Sequence, residues 1–261
     1  MFGGEGGNAG RLTRELPSPV PVHPLDARIT PARAWKYRQV LVRRTARLVV
    51  VIEDCFDPHN ATAILRTCEA VGVHRAVVTT AGNPFLINPQ VSQGAHRYLD
   101  LRVLPDIDAA AALLRPEGYR LYVTDLSSRA AVGPAALLPE LERGPLAIIF
   151  GNEGHGISER ARAIADGAFL LPMAGFSQSL NLSVSVAMTM QALRGAAVAA
   201  DLAGDLPAAE QCASYDRWIR TYCGEPETGP TARLATACPS AGRSSCAPSS
   251  PPPSTTSTAG A

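Results

Sequence analysis

Long apolar runs are missing. No stretch approaches the ~18 consecutive apolar residues that a membrane span requires, and the opening MFGGEGGNAGRLTRELPSP lacks the apolar core of a secretory signal. The expectation is a soluble, cytoplasmic protein with no membrane partner. The six cysteines (Cys55, Cys68, Cys212, Cys223, Cys238, Cys246) form no C-x-x-C pair, so neither a zinc site nor a small disulfide scaffold is suggested. The thiols read as buried or idle, and no metal is expected. There is no G-K-[ST], which excludes a P-loop, and the glycine-rich FGNEGHGIS has the order G-x-x-G-x-G after a late strand. A dinucleotide site of the G-x-G-x-x-G type is therefore disfavoured. Lysine is nearly absent, with only Lys36 among 24 basic residues. Codon bias accounts for that without appeal to bidentate phosphate recognition.

What is present is a 261-residue chain, 46% hydrophobic and 18% charged, enough for one generous domain or two small ones with a real core. Its net charge of +1 conceals a segregation. Residues 11–50 carry nine bases (Arg11, Arg14, Arg28, Arg33, Lys36, Arg38, Arg43, Arg44, Arg47) against two acids (Glu15, Asp26), whereas residues 51–261 carry fifteen bases and twenty acids. Clustered cations suit nucleic acid because neutralising phosphates releases counterions. A solvated helix face explains the same charges equally well.

Three zones follow from composition. Residues 1–30, rich in Gly and Pro, read as a loose leader, and 224–261, ending SSCAPSSPPPSTTSTAGA, as a disordered tail. Between them, 31–223 alternates β-branched runs with helical spacing. Strands are expected at 47–53, 75–80, 98–104, 120–126, 146–151 and 168–173. Helices fit at 31–46, 59–71, 106–115, 135–142, 158–166 and 180–202. Near-continuous apolar strands separated by helices predict an α/β fold, a mostly parallel sheet covered on both faces. Ligands in such sheets sit beyond the carboxyl ends of the strands.

After the first strand, DCFDPHNATAILRTCEAVGV begins a helix in which Asn60 reads as a cap and Arg66 as a partner for Glu69, three residues on. After the fifth, Gly151, Gly154 and Gly156 surround Glu153 and His155; glycines there let backbone amides approach a ligand. Glu153 reads equally as a turn cap or a functional carboxylate, and His155 as an exposed loop residue or a base. After the sixth, LPMAGFSQSLNLSVSVA enters a helix that Ser179 could cap and whose first turn Asn181 could brace.

Taken together, PHNATAILRTCEAVG (58–72), IIFGNEGHGIS (148–158) and LPMAGFSQSLNLSVSVA (171–187) resemble the three motifs of the SpoU/TrmH family of SPOUT-class RNA methyltransferases. The likeness spans about 31–200, and DPHN with EAVGVH is most similar to the branch that methylates guanosine in the tRNA D-loop. The resemblance implies a deep trefoil knot, which no periodicity reveals, a homodimer, and S-adenosyl-L-methionine as cofactor. It implies that backbone groups around Thr124, Gly151, Leu171 and Leu180 hold the adenosyl group. Asn60, Arg66, Glu153, Ser179 and Asn181 fall on its polar active-site positions. A ribose hydroxyl is a poor nucleophile, so its proton must be removed or stabilised while its oxygen is aligned. The family assigns activation to an arginine at the Arg66 position. A free guanidinium has a pKa above ~12 and is no base, so Arg66 binds the adjacent phosphate, lowers the hydroxyl pKa electrostatically, or accepts the proton when dehydrated. Asn60 orients Arg66 or the ribose, Glu153 fixes cofactor loop or substrate, and Ser179 and Asn181 brace the knot turn.

The expectation is thus a tRNA (guanosine-2′-O)-methyltransferase whose Arg33, Lys36, Arg38, Arg43 and Arg44 contact the tRNA backbone. Methylation of ribosomal RNA or of the tRNA wobble position, and a non-catalytic RNA-binding protein, are the alternatives.

Overall fold

The computed structural model describes residues 15–82, 85–126, 130–199 and 204–226. The expected tail lies outside the described residues from 227 on. Chain order is α1 (Pro31–Leu41), β1 (Thr45–Glu53), α2 (Pro58–Val71), β2 (Val73–Thr79), the single turn α3 (Pro89–Ser92), β3 (Asp100–Leu104), α4 (Ile107–Leu114) and β4 (Arg120–Thr124). There follow β5 (Ala131–Val132), α5 (Leu138–Arg143), β6 (Leu146–Phe150), α6 (Glu159–Ile164), β7 (Gly167–Leu170), α7 (Leu182–Ala199) and α8 (Ala208–Cys223).

The seven strands form one sheet in the order β3-β2-β1-β6-β4-β7-β5, and every pairing is parallel. Its centre is the β1–β6 pair, in register from Leu48↔Leu146 to Ile52↔Phe150. Alternation along β1 sends Leu48, Val50 and Ile52 to a face covered by α2 and α7 (Ile64, Leu65, Val186, Met190). Val49 and Val51 meet α4 and α6 on the other (Ile107, Leu114, Ala161). Both faces are buried, so the strands read as unbroken apolar runs. Among the described helices α7 alone has the length and apolarity to cross a membrane, and here its Val186–Met190–Leu193 stripe is buried in the first of these clusters.

Several expectations need correction. The helix drawn over 31–46 stops at Leu41, because Thr45 already pairs with Val73. The long helix drawn over 180–202 spans Leu182–Ala199. Helix α2 is capped by Asp57, whose side chain accepts from the His59 amide, and stops at Gly72 (φ 83°). Asn60 is therefore released from capping. The stretch expected as a loose leader is packed from residue 16: Leu16 N–H donates to Gln39, Val20 is buried, and Asp26 receives Arg38 and the Tyr215 hydroxyl.

Helix α8 lies beyond the last helix expected from the sequence. It buries Gln211, Ser214, Tyr215, Trp218 and Ile219, the spacing of one helical face. With Tyr37 and Leu41 of α1 it makes a third apolar cluster. At its base Arg44 is fully buried, donating to the Val73 carbonyl (2.9 Å) and Glu69 (3.1 Å) beneath the Trp218 ring. Glu69 thus pairs with Arg44 and not with Arg66.

Two outcomes are expected. Arg44→Ala should lower unfolding free energy in urea by about 2–4 kcal/mol, since it removes a buried partner and leaves a void; Lys36→Ala, on the surface, should change it by less than ~0.5 kcal/mol. His74, 3% exposed between β2 and α8, has its pKa pushed down to about 3 by burial, with Arg44 adding to the effect. It is neutral when folded and protonates when unfolded below ~6.5, so the unfolded state binds the extra proton between these values. Stability then falls with acidification over that window by up to ~1.4 kcal/mol per pH unit. His74→Asn should flatten this slope in denaturation curves taken from pH 6.5 to 4; an unchanged slope would refute the assignment.

Candidate active site

The carboxyl ends of the central strands are tied together before any ligand is considered. After β6 the chain turns through Gly151–Gly156 and closes on itself: Asn152 and Gly156 exchange backbone hydrogen bonds (3.0 and 2.8 Å). The approach is so close that a Cβ on Gly151 would lie 2.2 Å from the Gly156 carbonyl carbon, a distance only glycine tolerates. The Asn152 amide donates to the Asp54 carbonyl (2.6 Å) and its oxygen accepts from the Gly154 amide (2.7 Å). Ser158 caps α6 and donates to Glu53 (2.5 Å) at the end of β1.

Beside this loop runs a polar chain linking the three motif segments. The Asn181 amide donates to the Asn60 side-chain oxygen (3.0 Å), and the Asn60 amide donates to Glu153 (2.9 Å). Glu153 also accepts from the Cys55 thiol (3.0 Å) and the Phe56 amide (3.0 Å). Asn181 in turn accepts from the Ser183 amide (2.9 Å), starting α7. Burial works to raise the Glu153 pKa, but donors from Cys55, Asn60 and Phe56 outweigh it and hold the carboxylate below its usual range. Burial first, and the Glu153 contact second, push the Cys55 thiol up to about 12. Cys55 is therefore a proton-bearing donor.

A cavity of about 550 Å³ opens against this chain, between the ends of β4, β6 and β7. Thr124, Gly151, Leu171 and Leu180 line it, as do Glu153, Ser179 and Asn181; Phe150, Ile157 and Met173 add apolar wall. That volume suits an organic cofactor. Asn60 stands behind Glu153, buried. His155 is exposed, and only its backbone amide is engaged, by Asn152 (3.3 Å).

Arg66 is elsewhere. Six residues beyond Asn60, it is rotated about 120° and carried ~9 Å along α2. Its guanidinium donates to the Val91 carbonyl (3.4 Å) and lines a second cavity together with Arg33 and Lys36. Of the other three arginines expected on the tRNA backbone, Arg44 is fully buried, which corrects that expectation for it, while Arg38 and Arg43 are partly exposed and have partners within the fold. Arg44 is buried beneath Trp218. Arg38 is held by Asp26 (2.6 Å) and stacks on Tyr215, and Arg43 donates to the Gln39 carbonyl and side chain (2.6 and 2.8 Å). Charge density along the sequence does not record which cations are already paired.

Glu53, Asp54, Cys55 and Asn152 were missed. The available signal was their place, directly at the carboxyl ends of β1 and β6, where side chains leave the sheet toward a ligand.

This fold and site define an α/β domain with a cofactor-sized cavity at the carboxyl edge of a parallel sheet and an amide–carboxylate chain beside it. Residues 47–191 match the SpoU rRNA Methylase family model, and the chain belongs to that family. It is 42% identical over 164 residues to a tRNA (guanosine(18)-2′-O)-methyltransferase of Thermus thermophilus, covering 62% of this chain and 81% of that one. The Escherichia coli enzyme of the same name is 32% identical over 163 residues, covering 62% and 69%. The crystal structure of the A. aeolicus TrmH/SpoU tRNA modifying enzyme superposes with a TM-score of 0.66 at 26% identity, covering 73% of this chain and 96% of that one.

Gly151→Ala should force the loop apart and destabilise the protein by about 1–3 kcal/mol, with faster amide exchange at Gly154 and His155. Native stability and exchange in that variant would show that the loop does not depend on the close backbone contact.

Proposed function

We propose that the protein transfers a methyl group from S-adenosyl-L-methionine to the ribose 2′-hydroxyl of a guanosine in the D-loop of tRNA, without a metal. The observation that carries this reading is the Asn181–Asn60–Glu153 chain beside a glycine-cradled cavity. The cavity's size, apolar wall and exposed strand-end backbone fit an adenosyl group and leave polar atoms at one side for a sugar. The tRNA reading is preferred over ribosomal RNA because the 42%-identical relative is named for tRNA guanosine.

The cofactor supplies an electrophilic methyl group. Thr124, Gly151, Leu171 and Leu180 hold its adenosyl part. Glu153, kept ionised by three donors, accepts from substrate or cofactor groups and anchors Asn60. Asn181 is oriented by the α7 amide it caps and presents the turn that also carries Ser179. Catalysis here is positioning: every group in the chain has its rotamer set by a partner from another strand end. Arg66, lying off the cavity, serves as the cation for the phosphate next to the target ribose, where it favours the alkoxide electrostatically.

The finer parts of the reading are that the last strands and helix thread back through an earlier loop as a deep trefoil knot, that the protein works as a cytoplasmic homodimer, and that residues from 224 on form a dispensable tail. The knot is supported by three strand-end loops enclosing one cavity. The dimer is supported by Val184 and Met188, exposed apolar residues four apart on α7.

Incubation with a tRNA transcript and labelled cofactor should give 2′-O-methylguanosine. Arg66→Ala should keep cofactor affinity in calorimetry yet lose turnover by about 100-fold or more. Label appearing in ribosomal RNA alone would reject the tRNA reading, and near-normal turnover of the variant would reject the role of Arg66.

A further inference from the structure

The second cavity, about 710 Å³, is formed where α1, α2 and α8 meet. It has no part in holding a cofactor at the strand ends, yet it gathers three cations, Arg33, Lys36 and Arg66. None of the three has an ion-pair partner among the described residues, whereas most arginines of the fold do, including Arg28, Arg38, Arg47, Arg75, Arg120 and Arg162. The one acid in the lining, Glu69, is already held by buried Arg44 (3.1 Å). The cavity is thus left with surplus positive charge.

Four aromatic rings, Tyr37, Tyr98, Trp218 and Tyr222, also line it. Tyr98 and Trp218 meet edge to face at 5.2 Å between ring centres, and the Arg33 guanidinium stacks 4.0 Å above the Tyr222 ring. Tyr222, on the last turn of α8, is 52% exposed, so part of its ring is open to a ligand. Unpaired cations beside aromatic and guanidinium planes are the chemistry that receives an unstacked nucleotide, its phosphate on the cations and its base on the planes. Helix α2 joins the two cavities: Asn60 serves the first and Arg66, ~9 Å further along, the second. One strand can therefore engage both.

We propose that this cavity binds the RNA nucleotide adjoining the target nucleoside, the one that carries the phosphate next to the target ribose. Its phosphate lies on Arg33, Lys36 and Arg66, and its base packs against the Arg33–Tyr222 stack. The proposal rests on the methyltransferase reading for the identity of the RNA, and on the cavity alone for the chemistry.

The test uses the full chain, a labelled tRNA transcript in fluorescence polarisation from 50 to 200 mM salt, and 5′-GMP as a free-nucleotide probe. Lys36→Ala and Tyr222→Ala should each weaken tRNA binding by about ten-fold, one stacked base or phosphate contact being worth roughly that. Lys36→Ala should also reduce the salt slope by about one. Tyr222→Phe should restore affinity, and melting temperatures should match the parent. S-adenosyl-L-methionine affinity, measured separately, should stay within twofold in all three variants. Unchanged tRNA affinity in both alanine variants overturns the proposal, as does loss of 5′-GMP binding with tRNA binding intact, which would assign the cavity to a free nucleotide. If the parent protein fails to bind S-adenosyl-L-methionine while tRNA binding still depends on Lys36 and Tyr222, the methyltransferase reading falls and the RNA cavity stands.

Discussion

At the carboxyl end of β6 the backbone of Gly151 lies against that of Gly156 with no room for a side chain between them, and the geometry of the site follows from that contact. Because the chain folds back so tightly, Asn152 can reach the Asp54 carbonyl and Ser158 can reach Glu53, both at the end of neighbouring β1. The loop is therefore fastened to the central, buried strand pair of the sheet. Glu153 projects from a loop that cannot wander, so three donors converge on its carboxylate at 2.9–3.0 Å. A looser turn would take Glu153 away from its three donors and leave Asn60 without an acceptor.

Burial decides what each arginine is for. Arg44 lies under Trp218 and bonds to the Val73 carbonyl and Glu69, joining β2, α2 and α8. Arg194 does the same between α7 and the end of α2, donating to the carbonyls of Val71 and Arg43. These cations satisfy carbonyls that would otherwise be stranded in an apolar interior. Arg33, Lys36 and Arg66, by contrast, have no carboxylate partner among the described residues and are left to meet an anion. A basic stretch in a sequence thus divides into structural and recognition charges, and the division is invisible until partners are known.

Helix α2 shows how local and distant constraints share one segment. Its stripe of Ile64, Leu65 and Cys68 anchors it to the sheet, Asp57 caps it, and Gly72 ends it. Because Asp57 takes the capping role, Asn60 is free to accept from Asn181 and donate to Glu153. The three motif segments are far apart in the chain and touch here through two amide hydrogen bonds.

The α/β class, the parallel sheet and all but one of its strands were legible from the sequence, because a strand buried on both faces must be apolar throughout and helices must recur between such runs. The motif residues that line the first cavity were legible too, as polar and glycine positions just beyond strand ends. Helix α8 carried a readable period over Gln211–Ile219, but nothing local says what its apolar face covers. Three-dimensional packing alone decided that Asp57 rather than Asn60 caps α2, that Glu69 answers Arg44 rather than Arg66, and that Arg66 opens on a different cavity from Asn60. The reason is physical: propensity and periodicity act within a few residues, whereas the partner of a charge or an amide is whichever group the folded chain carries to within about 3 Å of it.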